Sequence, residues 1–296
     1  MKKRSKSSLK DYDPIDRMVY WIREREAIRV KRERGIPRPW TDDPILLNYR
    51  FCNVRRMDDR VSKWLVSNFY IKRHPLIVVN TALARFLNLE TTLEYIGFQH
   101  RWNTGNIIKK LRKYRGPKSD PKRTVFNSAY VVRGNDGDDK IESVVRYYCE
   151  PLTKNKLKIR DTMEETILSL KEYHGFGLFM AGQVVADLRW TTLKGDRFTD
   201  RMTWAPKGPG SERGINRIKE RDVGTRISQE QFTEELNELI SDLSPRLPLI
   251  IKSRIEAHDY QNCLCEFDKF ERILWEQGQM RKKFQGHEEQ GELFDD

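Results

Sequence analysis

An arginine-rich stretch, Tyr49–Trp64, carries the side chains best suited to bind an anion. Guanidinium groups bind phosphate and carboxylate oxygens in pairs, and the aromatic residues between them would keep water out of such a site. The stretch therefore predicts a half-buried anion pocket. An Arg–Asp salt-bridge network that pins two helices together is the alternative. The residues concerned are Arg50, Asn53, Arg55, Arg56 and Arg60.

A second anion cradle is predicted in the segment Gly208–Asn216, where Arg213 and Asn216 follow a Gly-Pro-Gly sequence. Backbone N–H groups at the start of a helix near Ser211 would face an anion there. We expect Gly208 and Gly210 to contact a DNA phosphate. The alternative is a Gly/Pro turn that caps the following helix.

A polar face on a long C-terminal helix, predicted from about Arg254 to Gln277, is a candidate pocket for a base or an amine. The spacing of its residues places most of them near one side of the helix, although an i,i+4 surface network would have the same spacing. Trp40 could stack on a base from a preceding loop, but a role as a core plug is favoured because a buried Trp supplies much packing area. The pocket residues are Trp40, Tyr49, Gln261, Asn262 and Lys269.

The segment His174-Gly-Phe-Gly177 joins two predicted helices. Gly175 and Gly177 would allow a tight reversal with backbone N–H groups directed outward, which is how a helix–hairpin–helix motif binds a DNA phosphate. An ordinary corner between two helices, with glycine as its C-cap, is the alternative.

The chain has 296 residues and a net charge of +12, which favours a polyanionic partner and makes nucleic acid the first candidate. A basic belt beginning at Lys109, Lys110 and Arg112 either follows a phosphate backbone or faces solvent. No apolar run approaches the roughly 20 residues of a membrane helix, and no secretory signal is present. These features predict a protein of the cytoplasm without a membrane partner.

Four blocks resemble a family of phage DNA-hypermodification proteins, the α-glutamyl/putrescinyl thymine pyrophosphorylases or amino acid:DNA transferases. The same module occurs as the helical domain of 5-hydroxymethyluracil DNA kinases. The blocks begin at Tyr49, Phe179, Gly208 and Gln261. The resemblance implies a mainly α, DNA-glycosylase-like helix–hairpin–helix fold that flips a modified thymine out of double-stranded DNA.

The resemblance also implies the reaction. An amine from an amino acid or a polyamine would displace pyrophosphate from 5-(pyrophosphoryloxymethyl)uracil in DNA, with cations on the leaving group and a carboxylate as general base. Asp187 is the first candidate for the base, followed by Glu266 and Asp200, and Asp196 fits the same family offset as Asp200. A structural ion pair is an equal alternative for each carboxylate.

Two other functions stay open. The chain could be a non-catalytic DNA-binding subunit of a 5-hydroxymethyluracil DNA kinase system, or a glycosylase that releases a modified base. Kinase activity of this chain is disfavoured because no Gly-x-x-x-x-Gly-Lys-Ser/Thr motif occurs. We predict no metal site and no cofactor, and we leave open a magnesium ion that enters with the pyrophosphate.

The predicted organisation is a flexible basic arm at 1–13, one helical catalytic domain at 14–280 that could form two lobes, and a disordered tail at 281–296. A small β-hairpin is expected at Thr124–Arg133, before the turn signal that ends at Gly137. Capping boxes at Thr162 and Ser228 mark two helix starts. In the tail, Gln290–Phe294 resembles a sliding-clamp peptide, although a solvated acidic tail is favoured.

Overall fold

A computed structural model describes residues 9–117, 124–127, 132–135, 137–154, 157–191 and 198–277. Every regular element in these ranges is helical, so the predicted mainly α class is confirmed. The chain divides into two compact units, which are described separately below. Among the described residues, unit 1 comprises those from 9 to 59 and from 201 to 277, and unit 2 comprises those from 60 to 200.

The predicted β-hairpin is absent from the described parts of its segment, while residues 128–131 lie outside them. Asn127 instead bonds to the end of a preceding helix: its backbone N–H donates to the Leu87 carbonyl at 2.9 Å and its side chain donates to the Asn88 carbonyl at 3.0 Å. These donors satisfy carbonyls at a helix C-terminus, which have no partner within the helix. In this segment of β-type composition, Asn127 therefore caps the preceding helix.

Unit 1 is built on one apolar core to which the first and last described helices both contribute. Its helices are α1 (Pro14–Glu33), α2 (Pro44–Asn48), α11 (Pro209–Ile218), α12 (Gln229–Leu243), α13 (Leu249–Lys252) and α14 (Ala257–Leu274), with a 3₁₀ turn at Arg56–Asp58. Within the segment predicted as a flexible arm, Leu9 is buried in this core and Asp13 caps α1. Residues 1–8 and the predicted tail lie outside the described residues.

Helices α11 and α14 of unit 1 approach each other closely because α11 has glycines, Gly210 and Gly214, at the positions that contact α14. A Cβ atom at Gly210 would overlap the Cys265 side chain, and one at Gly214 would overlap the Leu264 carbonyl. Overpacking of this kind forces backbone shifts. The Gly208–Asn216 block is therefore a helix-packing sequence, a role that its turn-like composition did not predict.

Unit 2 is also helical. Its helices are α3 (Arg60–Trp64), α4 (Ile77–Leu87), α5 (Glu90–Ile96), α6 (Thr104–Arg115), α7 (Lys140–Glu142), α8 (Pro151–Lys154), α9 (Met163–Lys171) and α10 (Leu178–Thr191). Single π-helical segments, Leu65–Phe69 and Ser143–Cys149, extend α3 and α7. The Thr162 hydroxyl accepts the Glu165 N–H at 3.1 Å, so the predicted cap of α9 is confirmed.

Helices α9 and α10 pack against each other and are joined by the predicted reversal. Gly175 has a φ of +87°, and a Cβ atom there would overlap the Tyr148 ring. The position therefore requires glycine both for its backbone conformation and for its close packing. Phe176 is buried beside Phe86, with ring centroids 5.2 Å apart. The reversal agrees with the prediction, whereas its assignment as a DNA-binding motif remains a prediction.

Candidate active site and anion-binding residues

Helix α1 holds the arginine-rich stretch in place through Arg25. Its guanidinium donates to the Phe51 carbonyl at 3.0 Å, to the Cys52 carbonyl at 3.2 Å and to Asn53 Oδ1 at 3.4 Å. Burial lowers the pKa of Arg25. A buried guanidinium with several acceptors fixes the path of the backbone, because its rigid fork prescribes where the acceptors lie. Arg25 was not identified from the sequence, where it is one of many charged residues in an amphipathic helix.

Helix α14 holds the other side of the same stretch. Glu266 accepts the Cys52 N–H at 3.0 Å, and Lys269 donates to the Arg50 carbonyl while its ammonium lies 4.5 Å from the centre of the Phe51 ring. Further along, Asp259 accepts the Arg56 N–H at 2.8 Å. The structure thus brings together two blocks that are about 200 residues apart in the sequence.

The arginines of the stretch differ in their partners. Arg50 is exposed, Arg55 and Arg56 are half-buried, and Arg60 belongs to unit 2, where it pairs with Glu90 at 3.3 Å. Within the described residues the Arg55 guanidinium makes no hydrogen bond or close ion pair, and it acts electrostatically on the Asp259 carboxylate. Arg55 is therefore the arginine of this stretch that is best placed to receive an external anion.

Part of the stretch does form the alternative salt-bridge network. Asp58 is buried, lies 3.4 Å from Arg29 and accepts a hydrogen bond from Arg254 at 3.4 Å. Its backbone carbonyl accepts the Asn53 side chain at 2.7 Å. Asn53 is therefore occupied by contacts within the protein, which favours a positioning role over anion binding.

Asp259 has the most notable ionisation in the candidate site. Burial raises its pKa from 3.8 to about 6, even though the N–H groups of Arg56 and Glu256 donate to it and oppose that shift. A carboxylate with a pKa near neutrality is suited to proton transfer, and such groups cluster at functional sites. The raised pKa was not predictable from the sequence, because Asp at the third position of a helix is an ordinary capping residue.

Asp187 lies in unit 2 and is almost fully buried, with 1% of its surface exposed. Arg85 binds both of its oxygens, at 2.6 and 2.9 Å, and the Tyr70 hydroxyl donates to it as well. Arg85 also donates to Asn88 and Ser62. Since Arg85 binds both oxygens of this carboxylate and both residues are buried, these contacts favour the structural ion pair that the sequence left open.

Asp200 has a structural partner set as well. Its carboxylate accepts the N–H groups of Met163 at 2.7 Å and Glu164 at 3.0 Å, at the N-terminus of α9. A carboxylate in this position stabilises the orphan donors and the positive end of the helix dipole. Asp196 lies outside the described residues. Glu266, half-buried and next to the arginine-rich stretch, is the remaining candidate of the predicted set.

Residues of the predicted second anion cradle, in and next to α11, bind partners within the protein. Asn216 is fully buried and donates to the carbonyls of Val223 and Thr225 at 3.2 and 2.8 Å, so its contacts favour a structural role. The Gly208 N–H donates to Ser211 Oγ at 3.0 Å and begins the helix, as the cap alternative describes. Arg213 binds Asp268 on α14 at 2.9 Å.

The predicted pocket residues of unit 1 have mixed surroundings. Trp40 is half-buried against the core and donates to the Ile36 carbonyl at 2.6 Å, in agreement with a packing role. Tyr49 also packs on the core. Gln261 donates to Ser211 Oγ at 3.1 Å, and Asn262 is half-buried without a hydrogen-bond partner among the described residues.

The basic belt of unit 2 is partly neutralised. Arg112 donates to Asp139 at 3.0 Å and to Glu142 at 2.7 Å, whereas Lys109 is exposed and Lys110 is half-buried. A guanidinium held by two carboxylates has little capacity for a phosphate. At the reversal, Gly177 is exposed and a side chain there would meet open space.

In the described ranges, no group of three or more His, Cys, Asp or Glu side chains is placed to hold a metal ion. Among the helices of the same ranges, none is long and apolar enough to cross a membrane. The predicted clamp peptide, Gln290–Phe294, lies outside the described residues.

Comparison with known proteins gives a match across nearly the whole chain. The family described as 5-hmdU DNA kinase, helical domain, matches residues 13–280. A curated relative, the 5-hmdU DNA kinase of Bacillus phage SP10, is 27% identical over 241 residues, which cover 70% of this chain and 36% of the relative. The chain thus spans about a third of the length of that relative. No solved structure matches the chain.

Proposed function

Because the chain belongs to the 5-hmdU DNA kinase helical-domain family, we propose that it modifies thymine in phage DNA as a pyrophosphate-releasing transferase. Its substrate is double-stranded DNA that carries 5-(pyrophosphoryloxymethyl)uracil, and its second substrate is an amino acid or a polyamine. It acts in the cytoplasm of the bacterial host. The base is flipped out of the duplex, because the 5-methylene group is poorly accessible to an enzyme within the stack.

The observation that carries this proposal is the contact between two blocks of unit 1 that resemble the transferase family. Glu266, Lys269 and Asp259 of α14 each bind the backbone of Arg50–Arg56. This contact leaves Arg55, a half-buried cation, close enough to Asp259 to act on it electrostatically, while Glu266 lies at the Cys52 N–H of the same segment. Cation and carboxylate together are what amine-for-pyrophosphate exchange requires.

In the proposed reaction the amine nitrogen attacks the 5-methylene carbon and forms a C–N bond. The C–O bond to pyrophosphate breaks, and the leaving group takes the electron pair. Arg55 and Arg56 stabilise the developing negative charge. Glu266 accepts the proton that the amine loses, and Asn262 helps to position the base or the amine. Asp187 and Asp200 maintain the structure of unit 2.

A second function is favoured by a specific observation. The matched relative is a kinase, the alignment covers 36% of it, and this chain contains no P-loop motif. The chain could therefore supply DNA binding to a separate 5-hydroxymethyluracil DNA kinase without a reaction of its own. In that case the Arg50–Arg56 segment binds DNA and takes no part in a reaction.

The two functions are separated by a direct assay. The protein is incubated with DNA that contains 5-(pyrophosphoryloxymethyl)uracil and with a pool of amino acids and polyamines, and the digested nucleosides are analysed by mass spectrometry. A nucleoside whose mass corresponds to the added amine supports the transferase and identifies the donor. Unchanged nucleosides together with tight DNA binding support the accessory function, and abasic sites would indicate a glycosylase.

Variants then test the general base. Glu266→Gln keeps a hydrogen-bond acceptor for the Cys52 N–H but cannot accept a proton, so transfer should fall on the order of 100-fold with DNA binding retained. Glu238→Gln, a change of the same kind at an exposed position of α12 in the same unit, should leave transfer unaltered. Full activity of Glu266→Gln would exclude Glu266 as the base.

A further inference from the structure

Helices α11 and α14 of unit 1 place three arginines around one aspartate. Asp268 has 0% of its surface exposed. Its oxygens lie 2.9 Å from Arg213 Nε, 2.9 Å from Arg217 Nε and 3.4 Å from Arg272 Nε. The two residue pairs Arg213/Arg217 and Asp268/Arg272 are each four positions apart, so each pair lies on one helical face.

The three guanidinium groups have binding capacity left over. All three approach Asp268 through Nε, and among the described residues their terminal amino groups make no hydrogen bond. Each guanidinium offers five donors in a planar fork. The aspartate therefore orients three forks while most of their donors stay available to another acceptor.

The group also carries excess positive charge. Three guanidiniums and one carboxylate give a formal charge of +2. The Arg217 side chain is 8% exposed, whereas those of Arg213 and Arg272 are 39% and 35% exposed. The group therefore consists of a buried aspartate and a buried arginine with two arginines that are partly open to solvent.

We propose that Arg213, Arg217 and Arg272 form a phosphate-binding site and that it receives a backbone phosphate of duplex DNA. A phosphodiester offers two free oxygens, which match the paired donors of a guanidinium. Asp268 acts as a positioning residue that touches no phosphate. The identification of DNA as the phosphate source rests on the proposed function. The phosphate chemistry rests on the arginine geometry alone, and free pyrophosphate has the same chemistry.

The first experiment measures binding of the full chain to a labelled, unmodified duplex by fluorescence anisotropy at several salt concentrations. The variant combining Arg213→Gln with Arg272→Gln should bind on the order of tenfold or more weakly, and its salt slope should fall by up to about 2, since each neutralised phosphate contributes about 0.9 to that slope. Arg246→Gln is the matched control: this arginine also lies in unit 1, is 43% exposed and is paired with Asp16. The Arg246→Gln variant should bind the duplex with an affinity within about twofold of the wild type.

The second variant replaces Arg213 and Arg272 with lysine, which keeps the charge but removes the planar fork. Weaker DNA binding by this variant, with an unchanged circular dichroism melting curve, supports an oriented site. Wild-type affinity in both the glutamine and the lysine variants, together with unaltered pyrophosphate binding, overturns the proposal.

A calorimetric titration with inorganic pyrophosphate distinguishes the two phosphate sources. Loss of pyrophosphate binding in the variants, with duplex binding retained, keeps the phosphate site but overturns its assignment to DNA. The duplex assay requires no modified base and no amine. A failed transfer assay would therefore reject the proposed reaction without affecting this site.

Discussion

Asp187 in unit 2 and Asp268 in unit 1 are both buried aspartates held by arginine, yet their surroundings differ. The Arg85 guanidinium binds both oxygens of Asp187 and also donates to Ser62 and Asn88. Asp268 faces three guanidiniums, each of which approaches it through a single nitrogen. In the first network both partners are buried, whereas the second combines one carboxylate with three guanidiniums, two of which are more than a third exposed.

The comparison separates two uses of the same chemistry. A balanced, sealed pair has no capacity for a ligand, because its charge and its oxygen positions are already matched. A group with more guanidiniums than carboxylates, part of it exposed to solvent, can bind an anion without first breaking an internal bond. The family resemblance favoured Asp187 as a catalytic residue, whereas the geometry directs attention to unit 1.

The largest expected effect comes from breaking the balanced pair. Arg85→Ala leaves the Asp187 carboxylate buried without its main partner, so the free energy of unfolding should fall by about 3–5 kcal/mol. Urea denaturation measures this loss. Replacing both residues, Arg85 with Met and Asp187 with Leu, should recover most of it. A stability of Arg85→Ala equal to that of the wild type would refute the structural assignment.

The next effect concerns Asp259, whose folded-state pKa of about 6 lies above its unfolded value of 3.8. The folded state binds the proton more tightly, so this group's stabilising contribution is present below about pH 4 and is lost as the pH rises through 6. The loss amounts to about 3 kcal/mol. Urea titrations from pH 4 to pH 7.5 should show it in the wild type and not in Asp259→Asn. Parallel pH profiles for the two proteins would contradict the expected shift.

A third effect tests the packing that presents the three arginines. Gly214→Ala places a methyl group against the Leu264 carbonyl, so the helices must separate, at about 1–3 kcal/mol. Unfolding in urea measures the loss, and duplex binding should weaken as Arg213 and Arg217 move. Gly105→Ala, where the nearest atom lies 3.8 Å away in α6, is the control and should not destabilise unit 2. Equal stabilities of the two variants would show that α11 and α14 tolerate the added group.

The smallest effect completes the contrast with Arg85. Arg213→Gln should change the free energy of unfolding by less than about 1 kcal/mol. The Arg213 side chain is 39% exposed, and Asp268 keeps Arg217 and Arg272 as partners. Thermal and urea unfolding both measure it. A loss as large as that of Arg85→Ala would mean that the arginine group is mainly structural.

Several local features of the fold were predictable from the sequence because they depend on nearby residues. The caps at Thr162 and Ser228 bind N–H groups three positions away, both at 3.1 Å. The reversal at Gly175 needs a positive φ that glycine adopts readily. The helical class likewise followed from periodicity along the chain.

Features that depend on distant partners were not predictable in this way. Asp200 reads as a catalytic candidate in the sequence, and only the tertiary structure shows that it caps a helix 36 residues earlier. Asn127, in a segment of β-type composition, caps a helix that ends at Leu87. In both cases a long-range hydrogen bond overrides what local composition suggests.

The sequence by itself determined the mainly helical class, the helix caps, the basic character and the family blocks, because each depends on residue types at short separations. The tertiary structure alone decided which arginines meet which carboxylates. Arg85 and Asp187 are 102 positions apart, and Arg213 and Asp268 are 55 apart. Whether an arginine is neutralised or available depends on how many charges the folded chain brings to one point, and spacing along the chain does not specify that number.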